Sequence, residues 1–307
     1  MRAFIFPGQG SQAVGMGVAL AEASREARDV LAEVDEALGQ KLSALMAEGP
    51  IEELTLTANA QPAIMANAIA TLRASGIDLA AKADFVAGHS LGEYSALCAA
   101  GSLDLAATAR LLRLRGTAMQ EAVPVGQGAM AALLGADLAL AQAIAEAAAE
   151  GEVCTVANDN DPSQVVISGH RGAVERALPI AKEKGAKRAV LLPVSAPFHC
   201  PLMQPAADRM AQALGDTAIG APIVPVYANM TASAVSDADE IRRLLVAQVT
   251  GMVRWRESVA AMSAAGVTHF VEWGGKVLGP MVKRIAPDAT VTSVISADDI
   301  DALVGEI

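Results

Sequence analysis

The sequence predicts an α/β protein, a parallel sheet covered by helices on both faces and interrupted in mid-chain by a smaller unit of different strand order. Three observations carry this prediction. Short apolar runs alternate with longer segments of helical apolar period, the pattern of strands joined by crossover helices. Between residues 128 and 193 the alternation gives way to the order β-α-β-β-α-β. Of the 307 residues, 53% are hydrophobic and 19% charged, enough to bury a large core in one or two domains.

The elements follow in order along the chain. Residues 2–6 form a short apolar run stopped by Pro7 and Gly8, and Ala-rich stretches around 14–38 and 60–75 have the period of helices. A strand from Asp84 to Ala87 ends at Gly88, and Leu91–Ala100 reads as a helix closed by Gly101. Ser90 therefore sits where a strand turns sharply into a helix. The middle of the chain reads strand 128–134, helix 137–150, strand 153–158, strand 164–168, helix 171–184 and strand 187–193. That order is ferredoxin-like. It is expected as an insert over 126–195 in a body made of 1–125 and 196–307, with Pro193, Pro197, Pro201 and Pro205 punctuating the return near Ser195. Patterns at 239–249, 254–265 and 268–272 complete the body, and no internal repeat is visible.

Composition narrows the function. A net charge of −11 and an aromatic content of 3% disfavour a nucleic-acid partner, which needs clustered Lys and Arg and stacking platforms. The N-terminal apolar run is too short for a signal peptide, and no run of about 18 uncharged apolar residues occurs. A cytoplasmic location is expected. Cys98, Cys154 and Cys200 are odd in number and lack metal-ligand spacing, so they are expected as reduced thiols, and no metal is assigned.

The run Gly88-His89-Ser90-Leu91-Gly92 matches G-x-S-x-G, in which glycines flank a nucleophile on a strained turn. There the Ser90 Oγ would be exposed at the sheet edge, with a helix N-terminus behind it and the N–H of Leu91 free for an oxyanion. A serine needs a base, and only His89, His170, His199 and His269 are available. His89 adjoins the serine, His170 ends a strand and His269 opens one, all positions that read as structural. His199 lies in the proline-stiffened segment Ser195–Pro201, where a cleft is expected, and is the best candidate.

Two further features bear on the substrate. Gly8-Gln9-Gly10-Ser11-Gln12-Ala13 satisfies G-x-G-x-x-A, but Pro7 precedes it and Asp29 lies in a helical pattern. A loop donating backbone N–H groups beside the nucleophile is the better reading than a dinucleotide site. In Arg110–Arg115, helical geometry of about 100° per residue puts Arg110 and Arg113 on one face and Arg115 on the apolar stripe of Leu111, Leu112 and Met119. A guanidinium there is either salt-bridged internally or clamps a substrate carboxylate.

Together these residues resemble the malonyl-CoA:acyl carrier protein transacylase family of bacterial fatty-acid synthesis. The resemblance runs through Phe6–Gln12, Ala58–Ala63, Gly88–Tyr94, Arg115, Met119, Gln164–His170 and Pro197–His199. It implies a large α/β-hydrolase-like subdomain with an inserted ferredoxin-like one. It also implies Ser90 as nucleophile, His199 as base, Gln9 and Leu91 as oxyanion-hole donors and Arg115 as partner of the malonyl carboxylate. Gln248 matches the position whose carbonyl orients the histidine, and Met119 and Phe198 would line the substrate pocket. Phe198 resembles the malonyl-type pattern. The chain departs from the family at Glu272-Trp273-Gly274-Gly275-Lys276, a run one residue short and without its proline.

The implied reaction is ping-pong transfer of malonyl from malonyl-CoA to the phosphopantetheine thiol of acyl carrier protein, by a monomer with no cofactor beyond the coenzyme A thioester. Because carriers are acidic, a basic docking patch is expected, with Lys182, Lys184, Lys187 and Arg188 as candidates against a merely solvated helix end. A polyketide-serving acyltransferase, a serine hydrolase and a non-catalytic binder remain the other readings.

Overall fold

The computed structural model describes residues 1–194 and 196–307. Among the described residues ten strands form two sheets: β1 (Arg2–Phe6), β2 (Phe85–Gly88), β3 (Gly128–Leu134), β4 (Cys154–Asp161), β5 (Gln164–His170), β6 (Arg188–Leu191), β7 (Val226–Ala228), β8 (Ser233–Val235), β9 (His269–Trp273) and β10 (Thr290–Val294). The larger sheet has the order β10-β9-β1-β2-β7-β8. All of its pairings are parallel except the β7–β8 hairpin at one edge. Its central strand β1 is buried from Ala3 to Phe6, as a strand covered on both faces must be.

The two faces of this sheet explain the Ala-rich composition. Phe4, Phe6 and Val86 pack into a core with the helix Thr57–Ala74, whose residues Ala60 to Leu72 are all buried. Ala3, Ile5 and Ala87 face the opposite layer, with Trp255, Val259, Met262 and Phe270. Helix Leu105–Glu121 approaches Thr57–Ala74 closely at Gly116, where a Cβ would lie 2.5 Å from the Thr57 carbonyl. Small residues thus let helices of this layer approach backbone to backbone.

The smaller sheet is antiparallel with the order β4-β5-β3-β6, the strand order of a ferredoxin-like unit. Helices Leu138–Ala149 and Arg171–Glu183 close a separate core with Leu133, Ile144, Val165, Ile167 and Val174. The expected strand 187–193 stops at Leu191. Leu192 still donates to Met130 O, but Pro193 has no N–H to extend the ladder.

The expected helix 14–38 is two helices, Val18–Ala23 and Arg25–Leu38. Ser24 is extended and its Oγ caps Ala27 N, so the chain restarts there. Gly15 and Gly17, at φ 91° and 79°, keep residues 14–17 out of the helix. The shape of the Glu272–Lys276 run, which the resemblance leaves open, is fixed by Glu272. Its buried carboxylate accepts from the N–H groups of Val277, Leu278 and Gly279 at 2.8–2.9 Å, capping the helix Leu278–Ile285.

Cys98, Cys154 and Cys200 are buried and unpaired, and burial pushes all three thiols above their ordinary range, Cys98 and Cys154 to about 11. Among the described residues no helix is long and apolar enough to cross a membrane.

Candidate active site

Only His89 and Ser90 separate the C-terminal end of β2 from the helix Leu91–Ala99, and Ser90 sits at φ 54° and ψ −110°. A side chain tolerates that left-handed backbone only where neighbours over-determine it. The neighbours are specific. A Cβ on Gly88 would lie 1.9 Å from Gly92 C and O, and one on Gly92 would lie 2.2 Å from Phe6 O. Only glycine at both positions lets strand, turn and helix meet. Both backbone groups of Ser90 are held by distant side chains: its N–H donates to Asn229 Oδ1 at 2.8 Å, and its carbonyl accepts from Gln248 Nε2 at 3.0 Å.

His199 follows β6 in the chain and is also held at positive φ, 56°. Its Nε2 is 2.7 Å from Ser90 Oγ, and its Nδ1 is 2.8 Å from the Gln248 carbonyl. A carbonyl only accepts, so the proton is on Nδ1 and Nε2 is free to accept from the serine hydroxyl. Burial, and then the nearby charge of Arg115, push the imidazole down to about 3 against the Gln248 hydrogen bond. His199 is therefore neutral at physiological pH, as a base that takes the Ser90 proton must be.

Arg115 lies 1% exposed, on the apolar stripe expected for it with Leu111, Leu112 and Met119 also buried. Its Nη1 donates to Gln61 Oε1 at 2.9 Å, and its Nη2 donates to Gln248 Oε1 at 2.9 Å and Ser90 Oγ at 3.0 Å. Its Cζ stands 5.6 Å from the Tyr94 ring centroid, within cation–π range. No carboxylate among the described residues forms an ion pair with it. The internal salt bridge considered above is absent there, and the guanidinium faces the nucleophile.

The remaining candidates gather around the same space. A cavity of about 310 Å³ is lined by Gln9, Gln61, Ser90, Leu91, Arg115, Met119, Phe198 and His199, with Met130 and Asn158 of the smaller sheet closing it. No hydrogen bond within the described residues uses the backbone N–H of Gln9 or Leu91. The loop carrying Gln9 is fastened by Gly10 N–H to Gln12 Oε1 and Ser11 Oγ to Gly8 O. The other histidines have structural partners: His89 Nε2 on Asn160 Oδ1, His170 Nδ1 on Val153 N–H and His269 Nε2 on Thr292 Oγ1. Lys182, Lys184, Lys187 and Arg188 are exposed at the end of helix Arg171–Glu183 and the start of β6, outside the cavity.

Three residues of the site were not singled out from the sequence. Asn229 donates through Nδ2 to Gly88 O while accepting from Ser90 N–H. Glu93 Oε2 accepts from Asn229 N–H and Gln248 Nε2, and burial pushes its carboxyl up to about 7. Gln61 appeared only inside a matching stretch, with no role. Asn229 lies 139 residues from Ser90, so no local spacing could have paired them.

A serine whose hydroxyl faces a neutral imidazole, beside a cavity with unused backbone donors and a buried cation, is equipped to carry an acyl group. The acyl transferase domain family matches residues 3–274. The chain belongs to that acyltransferase family. Among its members, the malonyl CoA-acyl carrier protein transacylase of Escherichia coli K12 is 47% identical over 293 residues, covering 95% of each chain. The crystal structure of an acyl-carrier-protein-S-malonyltransferase from Bartonella henselae superposes with a TM-score of 0.97 at 53% identity, covering 99% of this chain and 98% of that one. A malonyl-transacylase in complex with its type II polyketide acyl-carrier protein is also similar, with a TM-score of 0.95 at 40% identity over 100% and 99% of the chains. This acyltransferase therefore shares the two-subdomain fold of these structures.

Proposed function

We propose that this acyltransferase moves the malonyl group from malonyl-CoA to the phosphopantetheine thiol of acyl carrier protein in fatty-acid synthesis. The observation that carries the reading is Arg115, a buried cation without an ionic partner among the described residues, 3.0 Å from the nucleophile hydroxyl. Such a group favours an acyl chain that ends in a carboxylate, because a neutral acyl group leaves it unpaired. The names of the relatives over nearly the full chain point the same way.

Ser90 Oγ attacks the thioester carbonyl as its proton passes to His199 Nε2. The oxyanion is held by the N–H groups of Gln9 and Leu91, the latter at a helix N-terminus. Collapse expels coenzyme A, whose sulfur takes the proton back from His199. The carrier thiol then gives its proton to His199 and attacks the ester, and Ser90 departs reprotonated. The Gln248 carbonyl keeps the imidazole in the required tautomer throughout. Met119 and Phe198 wall the acyl pocket and limit its size.

No step needs a metal or cofactor. The catalytic body spans 1–125 and 196–307, with 126–195 as the insert whose strands roof the cleft; Ser195 itself lies outside the described residues. The enzyme works as a cytoplasmic monomer, and the exposed Lys182, Lys184, Lys187 and Arg188 receive the acidic carrier. Single-turnover malonylation tests the Arg115 role: Arg115→Ala should weaken malonyl transfer and spare or raise acetyl transfer. Equal loss on both substrates contradicts it.

A further inference from the structure

Glu93 is a buried carboxylate that the reaction proposed above does not use. It is 3% exposed and lies in the first turn of the helix Leu91–Ala99, with its N–H donating to the Ser90 carbonyl at 3.1 Å. Its hydrogen-bond partners are amides rather than a cation: Oε2 accepts from Asn229 N–H at 3.1 Å and from Gln248 Nε2 at 2.7 Å. These two residues are the ones that hold the nucleophile and the base. Asn229 Oδ1 accepts the Ser90 N–H at 2.8 Å, and Gln248 Nε2 also donates to the Ser90 carbonyl at 3.0 Å. The main-chain carbonyl of Gln248 accepts from His199 Nδ1 at 2.8 Å.

We infer that Glu93 is a positioning residue, whose oxygen Oε2 fixes Asn229 and Gln248 together and so sets Ser90 and His199 in one register. This rests on the nucleophile-and-base reading of those two residues and adds to it what keeps them aligned. A carboxylate oxygen bonded to two N–H groups is an acceptor, so the Gln248 amide must turn its NH2 toward Glu93 and leave Oε1 for Arg115 Nη2 at 2.9 Å. A flipped amide would bring two acceptor oxygens together. Gln248 lies in the last turn of the helix Ala238–Thr250, where carbonyls have no intrahelical partner. Its carbonyl is therefore available to His199, and the bond from its side chain to Glu93 holds that turn in place. Ser90, at φ 54°, needs support from outside its own segment. Both of its side-chain supports end on the same oxygen of Glu93. The role requires an acceptor at that reach and not its charge.

Single-turnover acylation by malonyl-CoA and by acetyl-CoA in the wild type, Glu93→Gln and Glu93→Asp separates reach from charge. Glu93→Gln keeps an acceptor at the same reach and should hold the maximal rate within about fivefold of the wild type, the difference between hydrogen bonds to charged and to neutral groups. Glu93→Asp keeps the charge but stops about 1.5 Å short. It should lower the maximal rate by about 100-fold, the cost of an ångström-scale misplacement. The loss should be equal for both donors, with half-saturation concentrations little changed. A wild type that forms no ester on Ser90 overturns the nucleophile reading and this inference with it. Where the wild type does form it, three results overturn the role of Glu93 alone: Glu93→Asp at the wild-type rate, Glu93→Gln as slow as Glu93→Asp, or a loss confined to half-saturation. Should Glu93→Asp fail to melt cooperatively, Gln248→Met decides, since it removes the same bond from the other side and keeps the main-chain carbonyl. Its acetylation rate should fall by a similar factor of about 100, and an unchanged rate overturns the role.

Discussion

Ser90 Oγ is shared by two partners of opposite effect, His199 Nε2 at 2.7 Å and Arg115 Nη2 at 3.0 Å. In the proposed reaction the imidazole takes the proton and the guanidinium stabilises negative charge on the oxygen. Arg115 also depresses the basicity of His199. Because His199 titrates at about 3 rather than in the usual histidine range, the acylation rate should stay flat from pH 8 down to about 5, without a limb near 6.5. Rapid-quench acylation across that window checks it, and an acid limb near 6.5 contradicts it. The same depression has a stability consequence. The unfolded chain protonates His199 and the folded chain does not, so this contribution is present above about 6.5 and is lost as pH falls toward 3. Glu93 acts in the opposite sense. Its folded carboxyl, raised to about 7 by burial, holds a proton that the unfolded chain has released, so its contribution declines as pH rises from about 4.5 through 7. Glu93→Gln should flatten the pH dependence of denaturant midpoints over that interval.

At the scale of elements, the turn from β2 into the helix Leu91–Ala99 is held by geometry that side-chain packing alone could not supply. Gly92→Ala would place a methyl 2.2 Å from Phe6 O, so β1 or the helix must move. We expect a loss of about 3 kcal/mol or more in equilibrium unfolding, at the upper end for single substitutions. Asn229→Ala removes the acceptor of Ser90 N–H and the donor to Gly88 O. It should cost about 1–3 kcal/mol of stability and lower the acylation rate, with little change in KM, because the backbone it releases carries the nucleophile. This turn marks how far the sequence could be read. Gly88, Ser90 and Gly92 stand within five residues and their requirement is local, so the elbow was legible. So were all four strands of the smaller sheet and β1, β2 and β9 of the larger one, whose apolar period reflects burial on one or two faces, whereas the three-residue strands β7 and β8 and the edge strand β10 were not. Asn229, Glu93 and Gln61 were not, because each acts through a contact made only when distant segments meet. The break at Ser24 was obscured by an apolar period that continues across it, although a serine before Glu26 is a capping signal.

At the scale of the molecule, the two sheets meet along β4, where consecutive residues reach different parts of the larger body. Asn158 lines the cavity, Asp159 pairs with Arg256, Asn160 holds His89 and Asp161 pairs with Arg284. Both aspartates are fully buried while their arginines are partly exposed. Arg256→Ala would leave Asp159 unpaired in the interior and should destabilise by about 2–4 kcal/mol in chemical unfolding. A loosened β4 should also raise KM, since Asn158 and Met130 close the cleft. The net charge of −11 makes a local basic patch necessary for an acidic carrier. Reversing Lys182 and Lys184 together should raise KM for the carrier and leave malonylation by malonyl-CoA intact. Transfer kinetics unchanged by that reversal would move the docking surface elsewhere.

In the proposed mechanism Ser90 carries malonyl between coenzyme A and a carrier thiol. Intact-mass measurement after mixing the enzyme with malonyl-CoA, with and without acyl carrier protein, addresses it most directly. A stable malonyl adduct is expected, lost only when carrier is added and absent in Ser90→Ala. Rapid loss of the adduct in water alone would make the enzyme a hydrolase, and no adduct at all would rule out Ser90 as the acyl carrier.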